Sequence, residues 1–244
     1  MSKTKYLLVV LFLFCSNLLL AQAPAWGGGA DQNDYSFGFT FSYIQSSFKI
    51  IKKPDWRSPY FDQLNNKYVT DSLKSINSNS LPGFAIGFLY RYSLSDHLEV
   101  RTNPTLIFAD RSITYSYVTP STDPVTKQIQ ATSADIPLEF KLKSDRIQDF
   151  RMYLLGGVKY TLAVGKGQSD LNSALSQKLV KNVGGFGSYE AGIGCDIYFE
   201  FFKLSPEIKL SNSFGNVLMP ENQPFSSPIS KLSLHTITFS LLFE

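Results

Sequence analysis

The most regular pattern in the chain is an alternation of apolar and charged residues over Ser133–Asp145. The apolar residues occupy every second position, at Ile136, Leu138, Phe140 and Leu142, and around and between them stand Asp135, Pro137, Glu139, Lys141 and Lys143. Successive side chains of an extended strand point to opposite faces, so one face is apolar and the other carries charges of both signs. The pattern predicts a β-strand whose apolar face covers either a soluble core or the lipid of a membrane.

The same alternation recurs along the chain and predicts eight β-strands. Their predicted bounds are Tyr35–Tyr43, Leu81–Leu94, Leu98–Phe108, Gln128–Lys143, Phe150–Val164, Gly184–Phe201, Leu204–Phe214 and Leu232–Glu244, and the third strand is expected to continue toward Val118. Most of these strands are about 10 residues or longer, which matches a tilted bilayer crossing of about 9–11 residues better than the ~5–6 usual in soluble proteins. The pattern therefore favours a membrane barrel.

The predicted connections alternate between long and short. Ser46–Ser80, Gly165–Asn182 and Gly215–Lys231 are long polar connections, and a short helix is predicted within Asp170–Lys181. Outer-membrane barrels combine short periplasmic turns with longer outside loops. The sequence thus predicts an all-β fold, an eight-stranded antiparallel up-and-down transmembrane outer-membrane β-barrel with a side-chain-filled lumen, and the alternative is a secreted soluble β-sandwich.

The N-terminus indicates export from the cytoplasm. Lys3 and Lys5 precede the apolar run Tyr6–Leu20, which is too short for a spanning helix and typical of a signal peptide. Cleavage after Ala21 is expected, which divides the chain into a signal peptide at 1–21, a flexible segment at 22–34 and a barrel domain at 35–244. Removing two lysines lowers the formal charge of +3 to +1, and so small a charge gives no reason to expect a nucleic-acid partner.

If the apolar faces meet lipid, twelve charged residues point into the lumen. They are Arg91, Glu99, Arg101, Asp135, Glu139, Lys141, Lys159, Glu190, Asp196, Glu200, Glu207 and Lys209. The interior of an eight-stranded barrel is just wide enough to be filled by side chains. Opposite charges must pair there, because an unpaired buried ion costs several kcal/mol. We interpret the set as a structural network that closes the lumen, and a selective pore or a proton path is the alternative.

Candidate chemistry is sparse. Ser233 and His235 could act as nucleophile and base, but no orienting acid stands at an obvious spacing, and His97 falls in a predicted periplasmic turn. Cys15 lies in the predicted signal peptide, and Cys195 is predicted to be an apolar filler facing lipid. The sequence contains no His/Cys cluster for a metal and no phosphate-binding loop. We therefore predict a non-enzymatic protein with no catalytic residue, cofactor or metal.

Three segments of the chain carry a family resemblance: Asp135–Lys141, Phe150–Tyr160 and Cys195–Lys209. Together they resemble the PorT/SprT family of small outer-membrane barrels. The resemblance implies a component of the type IX secretion system, required for gliding motility where that occurs, with outer-membrane lipids and other secretion-system proteins as partners. The alternatives are a generic small porin-like barrel for adhesion or envelope integrity and a lipid-modifying enzyme that uses Ser233 and His235.

Overall fold

The computed structural model describes residues 31, 33–63, 65–119, 123–129, 132–164 and 175–244. The predicted signal peptide and nearly all of the predicted flexible segment lie outside these residues. Of the short helix predicted within Asp170–Lys181, residues 175–181 are described, and they contain a 3-10 turn at Leu175–Gln177. No helix among the described residues is long and apolar enough to span a membrane.

The strands that the structure describes are numbered β1 to β14 in chain order. They are β1 (Tyr35–Lys52), β2 (Phe61–Asp62), β3 (Lys67–Tyr68), β4 (Leu73–Asn79), β5 (Leu81–Ser93), β6 (Leu98–Thr102), β7 (Thr105–Ala109), β8 (Arg111–Tyr117), β9 (Val125–Ile129), β10 (Thr132–Lys143), β11 (Phe150–Ala163), β12 (Gly185–Tyr198), β13 (Lys203–Ser213) and β14 (Ile229–Phe243).

Eight antiparallel wall strands form a closed ring, as the sequence predicted. Their order is β1, β14, β13, β12, β11, β10, then β6 with β7, then β5, and β5 pairs with β1 to close the ring. The break between β6 and β7 falls at Asn103 and Pro104. Because proline has no N–H to donate, Pro104, together with Pro137 of β10, interrupts the ladder there. The closed ring contradicts the soluble sandwich.

The wall is apolar outside and polar inside, which is the orientation that the alternation predicted for a membrane barrel. On β1, the Phe37 side chain is 69% exposed and the Phe39 side chain 48%, whereas Thr40 and Ser46 are each 1% exposed. The outward side chains face away from the barrel, where lipid covers the apolar band of a membrane barrel. The inward side chains fill the lumen.

The connections at the two ends of the barrel differ in length and structure. Three short turns, at residues 94–97, 144–149 and 199–202, share one end, here called the turn end, with the start of β1 and the end of β14. The opposite end, here called the loop end, carries a second sheet in the order β4-β8-β9. This sheet prolongs the wall, because β4 runs into β5, β7 runs into β8, and β9 leads to β10.

The largest error of prediction concerns the connection after the first strand. The predicted loop Ser46–Ser80 contains the end of β1, the β2–β3 hairpin and all of β4. Two further predicted strands are divided in the structure: Leu98–Phe108, expected to continue toward Val118, becomes β6, β7 and β8, and Gln128–Lys143 contains the end of β9 and all of β10. The remaining wall strands agree with prediction to within a few residues. At the other end of the wall, β12 ends at Tyr198, so Glu200 lies in a turn.

Candidate functional site: a filled lumen and an apolar cap

Eleven of the twelve charged residues predicted for the lumen lie there. Ten are buried, and the side chain of Lys159 is 10% exposed. Glu200 was predicted wrongly: it is exposed in the turn between β12 and β13. The alternation fails at this position because the strand has ended and its two-residue period no longer applies.

A central cluster of ion pairs crosses the middle of the lumen. Arg101 of β6 donates from Nε to Glu139 of β10 and from Nη2 to Glu207 of β13, with both distances 2.5 Å. Lys209 of β13 donates to the second oxygen of Glu139 at 2.6 Å, and the Tyr153 hydroxyl donates to Glu207 at 2.9 Å. Because β6 and β13 are not neighbours in the wall, the contact between Arg101 and Glu207 spans the interior.

A second cluster fills the turn end of the lumen. Its ion pairs join Lys141 to Asp196 at 2.8 Å, Lys143 to Glu99 at 2.7 Å, Arg91 to Glu244 at 2.5 Å and Lys203 to Glu244 at 3.0 Å. Sequence reasoning missed Lys143, Lys203 and Glu244 as lumenal residues. The alternation pattern could have identified Lys143, because Lys143 continues the inward series of Glu139 and Lys141. Lys203 and Glu244 stand at strand ends, and their lumenal position becomes visible only in the folded structure.

Asp31, which precedes β1 and is not part of the barrel wall, lies at the turn end of the lumen. Its carboxylate lies 3.2 Å from Arg91 and 3.3 Å from Lys203, and it accepts a hydrogen bond from the Tyr198 hydroxyl. Burial by itself raises the pKa of Asp31, but Lys203, the Tyr198 hydrogen bond and Arg91 outweigh burial and lower the pKa. The ion pairs and the hydrogen bond of this charged carboxylate therefore hold Asp31 at the mouth of the barrel.

Between the central cluster and the loop end, the described residues enclose small cavities, among them one of about 30 Å³ and one of about 10 Å³. Asp135 and Lys159 line both cavities. In the described part of the chain, Asn103 Oδ1, Asp135 Oδ1 and Glu190 Oε1 beside the larger cavity have no hydrogen-bond partner, nor does Arg111 Nε beside the smaller one. A water molecule needs about 10–15 Å³ of such space, so these two cavities have room for isolated waters.

The loop end of the lumen is filled by an apolar core, here called the cap. The cap consists of Phe48, Leu73, Ile76, Ile113, Tyr115, Tyr117, Val180, Val217, Leu218, Phe225, Ile229, Leu232 and Leu234. The Tyr115 hydroxyl donates to the Phe225 carbonyl at 2.5 Å, and the Lys127 ammonium lies 4.2 Å from the centre of the Phe225 ring. The segment predicted as the polar loop Gly215–Lys231 thus supplies part of a buried core.

The structure gives the candidate catalytic residues other partners. The Ser233 hydroxyl donates to the Gly215 carbonyl at 3.4 Å, and His235 Nδ1 lies 2.8 Å from Asn212 Oδ1. His97 lies at the turn end, 3.7 Å from Asp145, far from both. Cys195 is a free thiol opposite Met152, whose side chain faces outward and is 54% exposed. Among the residues that the structure describes, no group of three or more His, Cys, Asp or Glu side chains could hold a metal ion.

A closed ring of eight antiparallel strands, apolar outside and charged inside, defines an outer-membrane β-barrel. The chain belongs to the family described as the outer membrane protein beta-barrel domain, whose sequence profile matches residues 21–219. The protein is accordingly located in the outer membrane. The turn end then faces the periplasm and the loop end faces the cell exterior.

Similar solved structures are also outer-membrane proteins. OprG from Pseudomonas aeruginosa is 10% identical, with a TM-score of 0.47 over 86% of this chain and 93% of that one. The Neisserial surface protein NspA is 8% identical, with a TM-score of 0.41 over 86% and 98%. AlkL, solved in lipid bilayers, is 15% identical, with a TM-score of 0.39 over 91% and 92%. A comparison with curated protein sequences found no match.

Proposed function

We propose that this protein is a non-enzymatic, non-conducting outer-membrane barrel that acts through its folded outer surface, in adhesion or in envelope integrity. The observation that carries the proposal is that two layers of side chains fill the interior of the barrel. Ion pairs occupy the lumen, and the apolar cap lies above them. A barrel filled in this way by the described residues has little interior space for transport or ligand binding, so its function would depend on its surfaces.

The β2–β3 hairpin is the part of the outer surface that supports a binding role. The β2–β3 hairpin exposes Phe61 and Tyr68, whose rings pack edge to face at 5.1 Å. Beside the hairpin, the Tyr60 hydroxyl donates to the Asn222 carbonyl at 3.1 Å. This bond ties the hairpin to the segment that contributes Phe225 to the cap. A surface held in one conformation loses less entropy when it binds a partner.

The first test replaces Asp62–Lys67 at the tip of the hairpin with two glycines, which leaves the wall and the cap in place. Whole cells are then scored for surface attachment and for leakage of a dye that the outer membrane excludes. We expect attachment to fall or leakage to rise, with unchanged heat-modifiable migration in gels. A Glu200→Gln variant in a periplasmic turn is the control. Normal attachment and normal exclusion in the hairpin variant would remove the proposal.

Conductance tests the non-conducting part of the proposal. The purified barrel in a planar bilayer should give no stable current steps, because the central cluster leaves only water-sized spaces. An Arg101→Ala, Glu139→Ala double variant removes two large side chains that meet in the lumen, and we expect it to conduct more often. Stable steps from the unaltered protein would contradict the proposal.

A second candidate function is assistance to type IX secretion, and the observation that favours it is the resemblance carried by Asp135–Lys141, Phe150–Tyr160 and Cys195–Lys209. These segments belong largely to β10, β11, β12 and β13, so they would act through the wall and the periplasmic turns. Deleting the gene and measuring secreted cargo tests this candidate. Unchanged secretion would exclude it, and rescue by the hairpin-shortened variant would show that the loops are not needed.

The absence of catalysis is part of the proposal and has its own test. A His235→Ala variant should leave the composition of the envelope lipids unchanged, because Ser233 contacts the Gly215 carbonyl and His235 contacts Asn212, so the two are not arranged as nucleophile and base. A shift in lipid acylation in this variant would make the barrel an enzyme.

A further inference from the structure

The outer face of the barrel changes character along the two paired strands β1 and β14. On β1 the outward aromatic residues end at Tyr43, and the next outward residues are Gln45, Ser47 and Lys49. On β14 the outward apolar residues end at Ile237, and the next are His235, Ser233 and Lys231. The register confirms that these residues lie side by side. Its Cα pairs are Gln45 with Ile237, Ser47 with His235, Lys49 with Ser233 and Ile51 with Lys231.

Three groups with basic nitrogens meet in this band, and Lys49, Lys231 and His235 are here called the basic patch. Lys49 stands directly opposite Ser233, so Lys231 and His235 are its two diagonal neighbours on the same face. Diagonal neighbours in an antiparallel pair lie about 7–8 Å apart. Because lysine side chains are long and flexible, the two ammonium groups can converge on one anion.

The basic patch has no acidic partner in the part of the chain that the structure describes. No carboxylate lies within ion-pair distance of Lys49 or Lys231, in contrast to the lumen, where most lysines are paired. His235 uses Nδ1 to contact Asn212, which leaves Nε2 for another partner. The positive charge of Lys49 and Lys231 is therefore concentrated on the outer wall, and no carboxylate of the described residues neutralises it there.

The position of the basic patch along the barrel wall, next to an apolar surface, indicates the kind of ligand it binds. Immediately below it, toward the membrane centre, the outward side chains are Tyr43, Ile237 and Phe239, which are 50%, 41% and 43% exposed. Acyl chains cover such residues in an outer-membrane barrel, and the basic patch lies at the loop-end border of this apolar surface. We propose that the basic patch binds a phosphate group of an acylated glycolipid in the outer leaflet.

A membrane lipid fits this surface better than free phosphate does. A lipid places its phosphate against Lys49 and Lys231 while its acyl chains pack on Ile237 and Phe239, so the polar and apolar contacts act together. Free phosphate would make only the polar contacts, in competition with water. The charge-assisted hydrogen bonds from lysine fix the phosphate without requiring the planar fork that arginine would supply.

The test measures binding of purified lipid A, with and without its phosphates, to the folded full-length barrel in detergent, using native mass spectrometry. The variant is the double substitution Lys49→Gln, Lys231→Gln. The matched control is Lys67→Gln, Lys74→Gln, which removes two exposed lysines from β3 and β4 on the loop end. We expect the Lys49, Lys231 variant to bind phosphorylated lipid A at least tenfold more weakly. The control should bind normally, and dephosphorylated lipid A should bind equally weakly to all three proteins.

Three results would overturn the proposal. Equal affinity of the variant and the unaltered protein would remove the basic patch as the site. Equal binding of phosphorylated and dephosphorylated lipid A would show that only the apolar band matters. Displacement of lipid A by an equal concentration of inorganic phosphate would assign the patch to the free anion. If the glutamine variant does not fold, Lys49→Glu alone is measured, and it should lose the phosphorylated lipid whereas Lys49→Arg keeps it.

Discussion

Arg101 and Glu139 stand directly opposite each other on β6 and β10, and their side chains meet at 2.5 Å inside the lumen. Both are nearly inaccessible, with 2% and 0% exposure. Glu139 also accepts a hydrogen bond from Lys209, so one carboxylate neutralises two cations on opposite sides of the barrel. The Arg101–Glu139 pair therefore joins two neighbouring strands and, through Lys209, also connects them to the opposite side of the lumen.

Removing the Glu139 carboxylate should destabilise the barrel strongly. A Glu139→Leu variant leaves Arg101 and Lys209 buried without this shared partner, and breaking a buried ion pair costs about 3 kcal/mol or more. The measurement is the midpoint of heat-modifiable unfolding, together with urea unfolding in lipid vesicles. The matched control is Glu200→Leu, which makes the same substitution at an exposed turn position. Equal unfolding of the two variants would contradict the lumenal role of Glu139.

Truncating the cap should loosen the loop end. Leu232 is fully buried in the cap, and a buried Leu→Ala change costs about 2–5 kcal/mol. We expect the Leu232→Ala variant to expose the segment around Phe225 to added protease on intact cells. Leu154→Ala is the control, because Leu154 faces lipid and is 58% exposed. A cap that resists protease equally in both variants would show that Leu232 is not structurally important.

Gly194 makes room for the Tyr153 ring, which lies across it inside the lumen. A Cβ atom at position 194 would collide with that ring and approach the Pro206 carbonyl at 2.8 Å. Gly194→Ala should therefore displace Tyr153 from Glu207 and lower the unfolding midpoint. In Gly156→Ala the nearest neighbour of the new methyl group is the Glu190 carbonyl at 3.9 Å, so this control should be nearly neutral. A neutral Gly194→Ala would mean that the ring can rotate away at little cost.

Asp31 should hold the N-terminal segment against the periplasmic mouth over a wide pH range. Its pKa is lowered in the folded protein, so its contribution is complete above the ordinary pKa of about 3.9 and is lost only as the pH falls through the lowered value. An Asp31→Asn variant should lack the contribution at every pH. Hydrogen exchange of residues 33–36 at pH 7 is the measurement, with Asp34→Asn, an exposed acid, as the control. Unchanged exchange in Asp31→Asn would contradict the role of Asp31.

Local alternation was sufficient to predict most of the barrel wall. A strand has a period of two residues whatever its surroundings, so Phe37 and Phe39 had to share one face and Thr40 the other. The eightfold repetition of this pattern and the rhythm of the connections then determined the closed ring and its orientation. The same reasoning located Glu139, Arg101 and Glu207 inside.

Segments without alternation were predicted poorly. Leu73 and Ile76 of β4 are separated by polar residues, and Val217 and Leu218 form a short apolar pair inside a polar segment before β14. Their burial depends on partners far away in the sequence. Lys203 and Glu244 meet because the ring brings the start of β13 beside the end of β14, and Asp31 joins them from before β1. Glu200 shows the converse, since it carries the charge expected of the lumen but lies beyond the end of its strand.

The sequence by itself determined an exported all-β chain with eight amphipathic strands and the lumenal position of most of its charges, because these properties follow from side-chain periodicity within single strands. The tertiary structure alone decided which charges pair across the lumen, how the apolar residues of distant loops form the cap, and that Lys49 and Lys231 become neighbours on the outer wall. These relationships depend on strand register and on contacts between residues far apart in sequence, which no local pattern encodes.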